Sequence, residues 1–175
     1  MRRLAGTASD PLVEEECVID VRIETFGDIH VARIRHVGPY TAVAPCFERL
    51  FKWAASVGAT TGRTLTLSYD NPDTVAPRRL RCDACVELRT EALPPPGIET
   101  GLVGGGRYAV YRLKGPYTDI AEAYRQLFRK WLPRSGEAMD GRPCMELYRY
   151  TPRNTLPEHL VTDLCVALRD APSDG

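Results

Sequence analysis

Alternation between apolar and polar positions predicts short strands and one amphipathic helix in the first part of the chain. Residues 17–24 and 31–37 alternate as half-buried strands do, with a turn predicted at Gly27-Asp28. From Val43 the apolar positions recur at helical spacing until Gly58, where a glycine can end a helix. This part of the chain therefore predicts the order strand, strand, helix.

Two more strands complete this half. Leu65, Leu67 and Tyr69 alternate with threonine and serine, and residues 81–88 form the following strand. The proline-rich connector at residues 93–97 favours an extended linker, because consecutive prolines adopt the polyproline form. The first half is thus predicted as β-β-α-β-β.

The same pattern recurs in the second half. A shift of 77 positions places Gly38-Pro39-Tyr40 over Gly115-Pro116-Tyr117, and Leu50 over Leu127, which indicates a tandem duplication. We therefore predict an α+β fold: a tandem β-β-α-β-β repeat with pseudo-twofold symmetry, eight strands, two main helices and a central ligand cleft. The predicted boundaries are a loose N-terminal tail at 1–16, a single domain at 17–169 with repeat halves 17–92 and 97–169, and a tail at 170–175.

One carboxylate interrupts an otherwise apolar strand in the second half. Glu146 lies in the run Cys144-Met145-Glu146-Leu147-Tyr148, where an acid costs stability unless it is paired or needed for function. The shift of 77 makes Tyr69 its counterpart, and we expect these two residues to face each other across the axis. Glu146 is therefore our candidate anchor for a small molecule.

Aromatic residues are expected to wall this cleft. Rings around one carboxylate suit a flat apolar cation, because the ring faces and the negative charge both attract it. The predicted ligand-binding residues are Glu146, Tyr69, Tyr108, Tyr111, Trp131 and Tyr148. The alternative for each ring is ordinary core packing.

Charge and hydropathy narrow the classes of partner. Lysine plus arginine equals aspartate plus glutamate at 23 each, so no net charge attracts nucleic acid, and we expect no direct nucleic-acid binding by this chain. No apolar run approaches the roughly 20 residues that span a bilayer, and the N-terminus lacks the apolar core of a secretion signal. We expect a cytoplasmic protein with no membrane partner.

Cysteines and histidines do not define a metal or redox site. Cys82 and Cys85 have the spacing of a metal motif, but side chains three apart on a strand point to opposite faces. His30, His36 and His159 are far apart in sequence and lack ligand spacing. We expect no metal, no cofactor and free thiols.

The ordered series of motifs resembles the GyrI-like small-molecule-binding family, the effector-binding domain also found behind AraC-type DNA-binding regions. The resemblance covers about residues 17–169. Among the segments that carry it are Gly38-Pro39-Tyr40, Tyr69-Asp70-Asn71-Pro72, Gly115-Pro116-Tyr117 and Pro143-Cys144-Met145-Glu146-Leu147-Tyr148. It implies the tandem fold, a central cleft for hydrophobic, often cationic compounds, and an acidic anchor at the position of Glu146.

Three functions are consistent with these residues and this resemblance. The first is a stand-alone effector-binding protein that sequesters or senses hydrophobic, cationic compounds, including drugs. The second is a hydrolase of strained electrophiles, such as cyclopropane-bearing alkylators, with Glu146 as its catalytic general base. The third is a gyrase-interacting protein. We expect a binding protein rather than an enzyme, and transcription regulation would need a separate DNA-binding domain, since only 16 residues precede the first predicted strand.

Overall fold

Six strands and two main helical segments form the described part of the chain. The computed structural model describes residues 19–150 and 155–171. The strands are β1 (Val21–Val37), β2 (Thr61–Ser68), β3 (Arg81–Leu88), β4 (Glu99–Lys114), β5 (Cys144–Tyr148) and β6 (Val161–Ala167). The helices are α1 (Ala44–Ser56) and α2 (Ile120–Gln126), the latter continued by a π-helical turn at Leu127–Trp131 and by α3 (Leu132–Ser135).

All strand pairs are antiparallel, and the sheet closes on itself. The order is β1-β3-β2-β5-β6-β4, and β4 pairs again with β1. Closure leaves none of the six described strands at an open edge, where unpaired backbone groups invite aggregation. The prediction of an α+β fold with two main helices is confirmed.

The prediction of eight strands is wrong for residues 19–150 and 155–171, where six strands are present. β1 continues through Gly27-Asp28, where a turn was expected, and β4 continues through Gly104-Gly105-Gly106. β1 and β4 pair on both sides of these glycines, with Val21 opposite Tyr111 and Arg33 opposite Glu99. Glycine permits a positive φ, as at Gly105, but this freedom does not require the chain to reverse.

Several expectations lie partly outside the described residues. The predicted tail at 1–16 and the start of the first predicted strand, residues 17–18, fall there, as do residues 172–175. Within the described ranges, no helix is long and apolar enough to cross a membrane. The described cysteines Cys46, Cys82, Cys85, Cys144 and Cys165 are free thiols.

Apolar side chains pack in three clusters because strand residues alternate between two faces. Leu65, Met145 and Leu147 belong to the cluster inside the closed sheet. Outside it, α1 buries Leu50 against β1 and β3, and α2 together with its π-helical extension covers β4 and β6. In the strand order, β2 and β5 lie between the two helix-covered pairs, so their outward-facing residues lie between the helices.

Candidate ligand-binding site

The carboxylate of Glu146 lies on the outer face of the sheet, where β5 pairs with β2. Met145 and Leu147 belong to the inner cluster, so Cys144, Glu146 and Tyr148 face outward. Thr66 of β2 lies directly opposite Glu146. The acid predicted from sequence therefore lies between the two helices.

The expectation that Tyr69 faces Glu146 is wrong. Leu65 pairs with Cys85 and Met145 pairs with Cys165, which places β2 and β5 80 positions apart instead of 77. The offset is thus larger by three residues at β5 than at the helix, so three additional residues of the second half lie before β5. Because a slip by an odd number exchanges the two faces of a strand, Tyr69 packs on the inner face, and the residue opposite Glu146 is Thr66.

Glu146 is buried and accepts a hydrogen bond from a phenol. Its residue exposure is 7%, and the Tyr148 hydroxyl donates to the carboxylate at 2.7 Å. The Thr66 hydroxyl in turn lies 2.9 Å from the Tyr148 oxygen, and donates to it because the phenol proton is already used. A short chain of hydroxyls therefore ends at the acid.

Burial raises the pKa of Glu146, because a carboxylate is poorly solvated away from water. The hydrogen bond from Tyr148 and the nearby Ser68 and Tyr124 hydroxyls offset this rise only in part. The buried oxygens of Ser68 and Tyr124 have no hydrogen-bond partner within the described structure. The two hydroxyls therefore lie close enough to the carboxylate to lower its pKa, although they form no hydrogen bond of normal geometry with it.

No cationic side chain of the described residues pairs with Glu146. The other two buried acids differ in this respect. Asp83 binds the guanidinium of Arg35, and Asp163 binds those of Arg112 and Arg149 at 2.7 Å each. Glu146 is therefore the buried acid whose charge the described side chains leave uncompensated.

Aromatic rings from both halves surround the Tyr148–Glu146 pair. The Tyr148 ring lies 6.1 Å from Phe47 of α1 and 5.3 Å from Tyr117, measured between ring centroids. Tyr124 of α2 stacks on Phe128 at 5.7 Å. Sequence analysis did not include Phe47, Tyr117 or Tyr124 among the predicted site residues. The shift of 77 was the available signal, because it places Phe47 over Tyr124.

Tyr148 is the predicted aromatic residue that contacts Glu146. Tyr69 and Tyr108 pack on the inner side of the sheet, where the Tyr69 hydroxyl donates to Asp83 at 2.7 Å. Tyr111 and Trp131 pack against the cluster under α2. The structure therefore brings two of the six predicted site residues, Glu146 and Tyr148, into direct contact.

A closed antiparallel sheet with two helices outside it defines a domain of the α+β class, and the buried acid among rings between the helices is its candidate binding site. The sequence model of the GyrI-like small molecule binding domain matches residues 19–169. The chain belongs to this family.

Known proteins of similar sequence or fold agree with this assignment. A DNA gyrase inhibitor from Edwardsiella piscicida is 36% identical over 135 residues, which are 74% of this chain and 86% of that protein. The C-terminal domain of EcmrR superposes with a TM-score of 0.78 at 14% identity, over 88% of this chain and 99% of that one. SAV2435, solved with tetraphenylphosphonium bound, superposes with a TM-score of 0.61 at 11% identity, over 86% of this chain and 94% of that one.

Proposed function

We propose that this protein binds a lipophilic, cationic small molecule between α1 and α2, with Glu146 as its countercharge. The observation that carries this proposal is a buried carboxylate with no cationic partner among the described side chains. A buried charge without a partner is costly, so such an acid is retained where a ligand supplies the opposite charge. A cation at this position removes that cost.

The surrounding rings fit the same class of ligand. Phe47, Tyr117, Tyr124 and Tyr148 present aromatic surfaces near the acid, and ring faces attract cations by about 0.5–2 kcal/mol each. The unpartnered hydroxyls of Ser68 and Tyr124 would hold a polar atom of the ligand. Because Glu146 is only 7% exposed, the rings must turn aside to admit the molecule.

We also propose that the site lies on the axis of a duplicated fold. Val31 pairs with Glu87 in β1·β3, and Tyr108 pairs with Ala167 in β4·β6, which are the pairs that the two predicted halves would share. Glu146 and Thr66 lie opposite each other in β2·β5, between these halves. A ligand there would contact both copies.

The role that best fits this site is sequestration or sensing of drug-like compounds. Because SAV2435 binds tetraphenylphosphonium, that compound is a suitable first probe. Gyrase as a protein partner is a separate proposal, which rests on the name of the Edwardsiella relative. Free buried thiols such as Cys85 and Cys165 fit a reducing compartment, and we propose the cytoplasm.

Calorimetric titration of tetraphenylphosphonium into wild type, Glu146→Gln and Glu91→Gln tests the anchor. We expect Glu146→Gln to weaken binding at least tenfold at pH 8, because the amide keeps the shape of the side chain but not its charge. Glu91 is exposed and distant in sequence from the site, so its variant should bind as wild type does. Equal affinity for all three proteins would refute the role of Glu146.

A further inference from the structure

A second group of charges surrounds the buried carboxylate of Asp163. Arg112 of β4 donates to both of its oxygens, at 2.7 and 2.9 Å, and Arg149, which follows β5, donates at 2.8 Å. Arg22 of β1 lies 3.5 Å away and also pairs with Glu24. Three guanidinium groups therefore share two carboxylates.

Arg112 and Arg149 line a shallow depression of about 270 Å³. Its residues are Arg112, Lys114, Arg149, Tyr150 and Val161. No acidic side chain lines it, and Lys114 is exposed without an ion pair within the described structure. With Lys114 included, four positive charges stand against the two carboxylates of Asp163 and Glu24, so the depression carries an excess of positive charge.

The corresponding strand position in the first half lacks this excess. Arg35 lies opposite Asp83 in β1·β3 as Arg112 lies opposite Asp163 in β4·β6. The second donor differs, however. Asp83 accepts a hydrogen bond from the neutral hydroxyl of Tyr69, whereas Asp163 accepts one from the charged side chain of Arg149.

Two further positions complete the difference. Val37 occupies the register position of Lys114, since each is paired with the first residue of the neighbouring strand. Asp70, which follows Tyr69, pairs with Arg81 at 2.8 Å, whereas Tyr150 follows Arg149. Positive and negative side chains are thus balanced around Asp83, whereas positive side chains are in excess around Asp163.

We propose that the depression formed by Arg112, Lys114, Arg149, Tyr150 and Val161 binds a phosphate group, either as free phosphate or as a small phosphomonoester. Asp163 occupies the Nε and Nη2 groups of Arg112 and Arg149, and neither Nη1 group has a hydrogen-bond partner among the residues that the structure describes. A guanidinium held in a fixed orientation loses little entropy when it binds an oxyanion, and its planar geometry suits phosphate. The volume leaves room for an organic group beside Tyr150.

Titration of inorganic phosphate at constant ionic strength, followed by amide chemical shifts, tests this site. Lys114→Val and Tyr150→Asp introduce the residue types found at Val37 and Asp70. Both positions are exposed, so the variants should fold. We expect the dissociation constant to rise about three- to tenfold for Lys114→Val and more than tenfold for Tyr150→Asp. Lys52→Ala, an exposed cation on α1, should bind phosphate as wild type does.

The outcomes are distinct. Absence of phosphate-induced shifts at residues 112–114 and 149–150, or equal weakening in Lys52→Ala, overturns the proposal. Tighter binding of glycerol 3-phosphate than of phosphate identifies an organic phosphate as the ligand, and equal binding identifies the free ion. Glu146→Gln should leave phosphate affinity unchanged, which separates this site from the proposed cation site.

Discussion

Asp163 and Glu146, two buried acids of this sheet, have pKa values shifted in opposite directions because their neighbours differ. For Asp163, burial by itself would raise the pKa, but the hydrogen bonds from Arg112 and Arg149 outweigh it and leave the pKa lowered. For Glu146, burial dominates and the pKa is raised. Arginine therefore fixes one carboxylate in its charged form, whereas phenols leave the other free to change its charge.

The raised pKa of Glu146 predicts how stability depends on pH. Its contribution to stability is fully present below the ordinary pKa near 4.5 and is lost as the pH rises through the higher pKa of the folded state. Each unit of difference between the two corresponds to about 1.4 kcal/mol. Glu146→Gln removes this titration, so its free energy of unfolding should rise relative to wild type between pH 4 and pH 8.

Urea unfolding at several pH values measures this difference. Glu91→Gln is the matched control and should follow wild type throughout. If the curves of wild type and Glu146→Gln stay parallel over the whole range, the pKa of Glu146 is not raised by folding.

The sequence could identify Glu146 and Tyr148 but not the other rings around them. A single acid on an apolar strand is visible in the pattern itself. Which aromatic residues surround it depends on where three extra residues are inserted, and an odd offset places a ring on the wrong face of the sheet, as happened with Tyr69.

At the scale of elements, the two longest strands pass through glycines that the sequence favoured as turns. Gly104, Gly105 and Gly106 all have positive φ, of 80°, 60° and 89°, yet β4 stays paired with β1 on both sides. The glycines favoured a turn at this point, but pairing with β1 keeps the chain extended there. Such pairing is not encoded in any short window of sequence.

Gly105→Ala should destabilise the protein by about 1–2 kcal/mol, because an L-residue is strained at φ of 60°. The added Cβ would also lie 2.2 Å from the Asp28 side chain, which must move. Gly101→Ala in the same strand is the control, since no atom lies within 4 Å of its added Cβ and its φ is not positive. Equal melting temperatures for the two variants would contradict this strain.

At the scale of the whole molecule, the closed sheet depends on pairing between the two halves. Residues 17–92 supply β1, β2 and β3, and residues 97–169 supply β4, β5 and β6. The pairs β1·β4 and β2·β5 join one half to the other. The helix and the two later strands of each half were readable from periodicity, but the continuity of the long first strand and the closure were not, because no periodic pattern specifies which distant strands meet.

Neither half should fold as a monomer when expressed alone. Each would expose two unpaired strand edges and lose one wall of the inner cluster. Light scattering and circular dichroism of 17–92 and 97–169 should show disorder or association, and mixing the halves should restore the spectrum of the intact chain. A folded monomer of either half would show that closure is dispensable.

The position of Thr66 opposite Glu146, on one of the two junctions between the halves, has a practical consequence. A molecule bound there would stabilise the folded chain, because β2 and β5 could not separate without releasing it. A free ligand concentration of a hundred times the dissociation constant adds about 2.7 kcal/mol to the free energy of unfolding. Heat resistance of the purified chain is therefore a direct screen by which unknown compounds from a crude extract can be recognised.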